Sequence, residues 1–211
     1  MCGRIGRVSL EQHRLLLLRH GETEWSKSRQ HTSRTDLDLT ETGRHQAKVT
    51  AEAVAELNLQ MPLVISSPRR RALTTAELAG LAVDEVSPLL AEWDYGEYEG
   101  LTTPEIRKSV PGWLLWRDGC PRGESVGQVS DRADRAVELA LQHMASHDVV
   151  FVGHGHFSRA VITRWLELPL QQGIRFDMVA ASIAVCRFER GVRQLAALGL
   201  TGYPHPCLPA T

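Results

Sequence analysis

Leu15-Leu16-Leu17-Leu18-Arg19-His20-Gly21-Glu22-Thr23-Glu24-Trp25 decides how this chain is read. Four consecutive apolar residues mark a strand buried on both faces. The run stops at Arg-His-Gly, where the backbone must turn. In an open α/β sheet, ligand chemistry collects beyond the carboxyl ends of the strands. A permanently charged guanidinium suits a phosphate, and a neutral imidazole is a nucleophile. Glycine admits a ligand close to the backbone. The block therefore reads as a phosphate site carrying its own nucleophile. A bare Arg-His-Gly triplet is equally a surface turn after a core strand, so three further segments weigh on the reading.

The second is Ser66-Ser67-Pro68-Arg69-Arg70-Arg71-Ala72. It follows another short apolar strand, Leu63–Ser66, and opens a helix whose Ala72, Thr75, Ala76 and Ala79 share a face. An arginine in the first helical turn is placed for bidentate phosphate contact; a solvated basic turn is the plain alternative. The third, Glu92-Trp93-Asp94-Tyr95-Gly96-Glu97-Tyr98-Glu99-Gly100, holds four carboxylates among aromatic rings. A glutamate in an aromatic pocket would act as a general acid; a solvated acidic loop would not. The fourth, Phe151-Val152-Gly153-His154-Gly155-His156, repeats the opening logic: strand, Gly-His-Gly, helix. A metal site on His154 and His156 lacks a Cys or carboxylate partner at ligand spacing.

Between these segments, Thr40 caps a helix with Ala47, Ala51, Val54 and Ala55 on one face, and Val83–Val86 forms a weak strand. Ser125 starts a long helix running through Met144. Ala181–Phe188 and Val192–Leu198 form a hairpin turning at Glu189-Arg190-Gly191. Strands alternating with helices predict a three-layer α/β/α sandwich with a mostly parallel central sheet, the hairpin adding an antiparallel edge strand. One domain is expected over residues 14–200. A flexible extension precedes it over 1–13, and an irregular tail follows over 201–211.

The chain has 211 residues, 43% hydrophobic and 23% charged, with net charge −1. No global field draws nucleic acid or an anionic membrane, and the Leu15–Leu18 run is far too short to span a bilayer. Cys2, Cys120, Cys186 and Cys207 are scattered without metal-ligand spacing, which fits a reduced, cytoplasmic setting.

In their order, the four segments resemble the histidine phosphatase superfamily, in its phosphoglycerate mutase-like branch with the bacterial broad-specificity acid phosphatases. The resemblance implies that fold, no cofactor and no metal, and a small phosphorylated substrate. It implies that His20 becomes a phosphohistidine and that Arg19 and Arg71, the arginine directly before alanine, bind phosphate. Glu92 then protonates the leaving oxygen, and His154 polarises the phosphoryl group beside Gly155. Departures from the pattern are Ser26 where asparagine is common, Thr32-Ser33 in the phosphate-pocket loop, and His156-Phe157 after the second histidine. Ser26, Thr32, Ser33 and His156 are expected to line the site. The short Gly100–Gly123 segment lacks an adjacent Arg-Arg pair. It carries Trp113, Leu114 and Trp116 as an apolar lid, favouring an acid phosphatase over the alternative, a cofactor-dependent phosphoglycerate mutase. The edge strand or the Trp113–Trp116 segment is the candidate surface for a homodimer.

Overall fold

A computed structural model describes residues 10 and 12–203. Most of the expected extension and tail, with Cys2 and Cys207, lies outside the described residues. Strand β1 (Leu15–Arg19) is followed by a one-turn helix α1 (Glu24–Lys27), then α2 (Glu41–Glu56), β2 (Leu63–Ser66), α3 (Arg70–Leu78) and β3 (Glu85–Val86). Helices α4 (Thr103–Ser109), α5 (Leu115–Asp118) and α6 (Val126–His143) lead to β4 (Val149–Gly153), α7 (Gly155–Trp165) and the hairpin β5 (Ile183–Glu189) and β6 (Val192–Leu200). The sheet order is β3-β2-β4-β1-β5-β6. The first four strands of that order are parallel, and β5 runs against β1. The expected hairpin is present, but its reversed strand lies one position inside the edge, which β6 forms.

Alternation along β1 explains the three layers, because successive side chains leave a strand on opposite faces. Leu15 and Leu17 join Val149 and Phe151 against Val129, Ala133, Ala136 and Ala140 of α6 and Ala160 and Val161 of α7. Leu16 and Leu18 join Val64, Val150 and Ile183 against Ala72 and Ala76 of α3, with Val54 of α2 packed beside them. A strand buried on both faces needs no polar alternation, which is why it reads as four leucines.

The expected helix starts hold. Thr40 Oγ1 accepts the Gly43 amide at 3.0 Å, and Ser125 closes a capping box with Gln128. Helix α1, which periodicity missed, needs only the Thr23–Ser26 capping box;. The weak strand shrinks to Glu85–Val86, because β2 pairs with only those two residues.

One backbone contact fixes the turn after β1. A Cβ on Gly43 would come within 2.1 Å of the Glu22 carbonyl oxygen, and one on Gly21 within 2.4 Å of the Gly43 oxygen. Gly43→Ala should therefore cost about 1–3 kcal/mol and displace the Gly21–Glu22 loop. Denaturant unfolding checks this; an unchanged midpoint would contradict the packing.

Candidate active site

Strand register assembles the site. Arg19 lies opposite Gly153 in the parallel β1–β4 pair, so His20 and His154 follow at adjacent strand ends. The His20 amide donates to Gly153 at 2.9 Å, and the Ala181 amide returns to the His20 carbonyl at 3.0 Å. The two imidazoles meet edge to face, with centroids 5.2 Å apart.

His20 Nδ1 lies 2.7 Å from the Gly21 carbonyl oxygen. A carbonyl only accepts, so Nδ1 carries the proton and Nε2 keeps its lone pair. Burial, then the charges of Arg71 and Arg19, hold the His20 pKa well below that of a free imidazole;. His154 is lowered in the same way, by burial first and then by Arg71 and His20. Its Nε2 lies 2.7 Å from Ser67 Oγ.

Arg19 rests on Gly155, where a Cβ would come within 3.2 Å of the guanidinium carbon, and it donates to the Met178 carbonyl. Fully buried Arg71 donates to the carbonyls of Thr35 at 2.9 Å and of Thr32 and Ser33 at 3.3 Å. Arg19 Nε, Arg71 Nε and His154 Nδ1 are buried without partners. Buried polar atoms are normally paired, and a tetrahedral oxyanion is a ligand that supplies acceptors.

Glu92 is anchored by backbone. Its Oε1 accepts the amides of Trp93 and Phe157 at 2.8 Å, and its Oε2 accepts the His156 amide at 3.0 Å. His156 and Phe157 lie in the first turn of α7, and His154 gives that helix no side-chain cap. Glu92 therefore caps α7 from 64 and 65 residues away in sequence;. The sequence pattern pointed to an aromatic pocket; the contacts to this carboxylate are backbone N–H donors.

A cleft of about 440 Å³ opens beside these groups. It is lined by Arg19, His20, Ser26, Thr32, Glu92, Gly155 and His156 among the expected residues. Arg71 and His154 sit fully buried behind it. Ser33 is placed elsewhere: its amide and hydroxyl donate to the Glu99 carboxylate at 3.0 and 2.5 Å. Thr32 reaches the cleft but gives its hydroxyl to the Gln30 carbonyl. His31, Tyr95, Arg159 and Asp177 also line the cleft and were not singled out by the sequence. Among the described residues, no three His, Cys, Asp or Glu side chains cluster to hold a metal, and no helix is long and apolar enough to cross a membrane.

A family model described as the histidine phosphatase superfamily (branch 1) matches residues 15–201. The chain belongs to that superfamily. This histidine phosphatase is 65% identical over 199 residues to an acid phosphatase of Mycobacterium tuberculosis, covering 94% of this chain and 98% of that one. It is 36% identical to a sedoheptulose 1,7-bisphosphatase of Saccharomyces cerevisiae, covering 75% and 69% of the two chains. The solved structure of an open reading frame product of Mycobacterium tuberculosis superposes with a TM-score of 0.89 at 66% identity, covering 90% of this chain and 99% of that one.

Buried His20, His31 and His154, with partly buried His156, make the stability of this histidine phosphatase fall in acid. Burial pushes His31 down to about 4 against an opposing pull from Glu99, and His20, His154 and His156 are also lowered. The unfolded chain takes up protons near pH 6.5, the folded chain only at lower pH. Stability is therefore whole above pH 6.5 and declines below it, by about 3 kcal/mol between pH 6.5 and 4 for His31 alone;. Thermal unfolding should show a midpoint that drops from pH 7 to pH 4.5; a flat profile would contradict the burial.

Proposed function

We propose that this chain is a metal-independent acid phosphatase that hydrolyses phosphate monoesters through a phosphohistidine on His20. The coarser statement, that it is a phosphatase, rests on its family and on the 65% identical acid phosphatase. The observation that carries the finer reading is the state of His20. With Nδ1 bound to Gly21 and protonation suppressed, Nε2 stays nucleophilic in acid, where a free imidazole would be blocked;.

In the first step Nε2 attacks phosphorus in line, the P–O ester bond breaks, and Glu92 gives its proton to the departing oxygen. In the second, water attacks phosphorus, Glu92 takes a proton from it, and the N–P bond breaks to release phosphate. Arg19, Arg71 and His154 hold the phosphoryl oxygens, and Gly155 lets the Arg19 guanidinium lie against the backbone;. The fixed positive charge of Arg19 and Arg71 does what a divalent cation does in other phosphoryl-transfer sites. The cytoplasm is its place, where the buried thiols of Cys120 and Cys186 stay free;.

Hydrolysis of 4-nitrophenyl phosphate should proceed undiminished in excess EDTA, and an alkyl phosphate, whose leaving oxygen needs the proton of Glu92, should turn over faster near pH 5.5 than pH 7.5. With 3-phosphoglycerate and a bisphosphoglycerate primer, no isomerisation is expected. Loss of turnover in EDTA, or primer-dependent isomerisation without phosphate release, would overturn the proposal.

A further inference from the structure

Beyond His156 the cleft continues into an annex of about 180 Å³. His31, Thr103, His156 and Arg159 wall both spaces. The far walls are Trp113 and Trp116. An apolar cavity of about 150 Å³ takes a benzene ring, so the annex has room for one six-membered ring.

Its walls are rings held in place. Trp113 meets His31 edge to face at 5.5 Å, and its Nε1 donates to the Gly119 carbonyl at 3.0 Å. Trp116 lies 5.8 Å from His156 and packs so tightly on Gly173 that a Cβ there would come within 2.2 Å. The Arg159 guanidinium covers the Trp116 face at 4.9 Å. Tyr95 Oη, 2.6 Å from His156 Nδ1, fixes the imidazole at the mouth. Such a box offers ring faces and edges together, the geometry in which aromatic groups attract one another.

The annex also lies in the right direction. The His156 amide holds Glu92 while the His156 ring opens the annex, so the acid and the annex share one residue. A separate cavity beyond Glu92 shares only that residue with the cleft. Two of its charge pairs are already made, Arg34 with Asp94 and Arg132 with Glu124, and its third arginine, Arg69, lies apart from the residues that wall the annex.

We infer that the annex is a leaving-group subsite for a flat aromatic ring, and that the substrates include phosphomonoesters of alcohols bearing a ring next to the ester carbon. The inference rests on the reading of Glu92 as the proton donor to the leaving oxygen.

Benzyl phosphate and cyclohexylmethyl phosphate test it, because both release primary alcohols of similar size and only one is flat. In the unaltered enzyme kcat/KM should favour benzyl phosphate by about tenfold. Ile174→Trp, at an exposed position on the annex wall, should bring that ratio close to one. Independently of turnover, 2-phenylethylphosphonate should quench tryptophan fluorescence through Trp113 and Trp116. Equal rates on both esters would overturn the subsite and leave the phosphatase reading standing. Quenching without hydrolysis of either ester would support the subsite and overturn the chemistry. Neither hydrolysis nor quenching would overturn both.

Discussion

His20→Ala should lower kcat/KM on 4-nitrophenyl phosphate by roughly 10⁴-fold or more, the scale seen when a covalent nucleophile is removed. The side chain is small and lies at a strand end pinned by backbone bonds to Gly153 and Ala181, so the fold should survive its loss. Rate alone does not identify a nucleophile, so the intermediate must be caught. Rapid mixing with labelled substrate followed by alkaline quench should trap a phosphoenzyme that acid then hydrolyses, as expected of a phosphorus–nitrogen bond. The label should map to His20 and vanish in the variant. A variant that keeps more than a hundredth of the activity, or a label on another residue, would sink the scheme. Nε2 is the atom expected to carry the phosphoryl group, because Nδ1 is committed to Gly21.

Glu92→Gln should separate proton donation from positioning. An alkyl phosphate expels a strongly basic alkoxide and needs the proton; 4-nitrophenolate leaves without it. The variant should lose about 10²–10⁴-fold on alkyl phosphates, and far less on 4-nitrophenyl phosphate. Glu92 also receives the Trp93, His156 and Phe157 amides. An amide NH₂ in that place faces donors, so the start of α7 should loosen and the unfolding midpoint should fall. That structural cost burdens both substrates equally. The ratio between them isolates the chemistry, and equal losses would assign Glu92 to positioning alone.

The outline of the fold was legible because it depends on local signals: apolar runs that end in turn residues, and Thr40 and Ser125 as helix caps. His20 and His154 were legible as partners because each ends a strand in Gly-rich sequence, and parallel register sets those ends side by side. Glu92 was singled out, but its anchorage was not, since its partners His156 and Phe157 lie far along the chain. Ser33 was drawn toward the phosphate pocket by its position. Its partner is Glu99, across a loop without periodicity, and no local pattern announces such a pair. The annex was invisible for the same reason. Its walls come from the loop at His31, the segment at Trp113–Trp116 and the start of α7, and nothing in any one of them marks a ring-sized space.

The reversed strand β5 sets an order of assembly. The segment leading into it passes beneath His20: Met178 accepts from Arg19, Ser182 accepts the Arg19 amide, and Ala181 donates to His20 and accepts from Thr50. During translation His20 emerges well before these groups, which lie about 160 residues further along the chain. A chain ending before Met178 carries His20, both arginines, Glu92 and His154, but lacks the backbone groups of this segment that hold His20 and Arg19. The order of the chain therefore sets His20 in place only after the 178–182 segment has folded against β1.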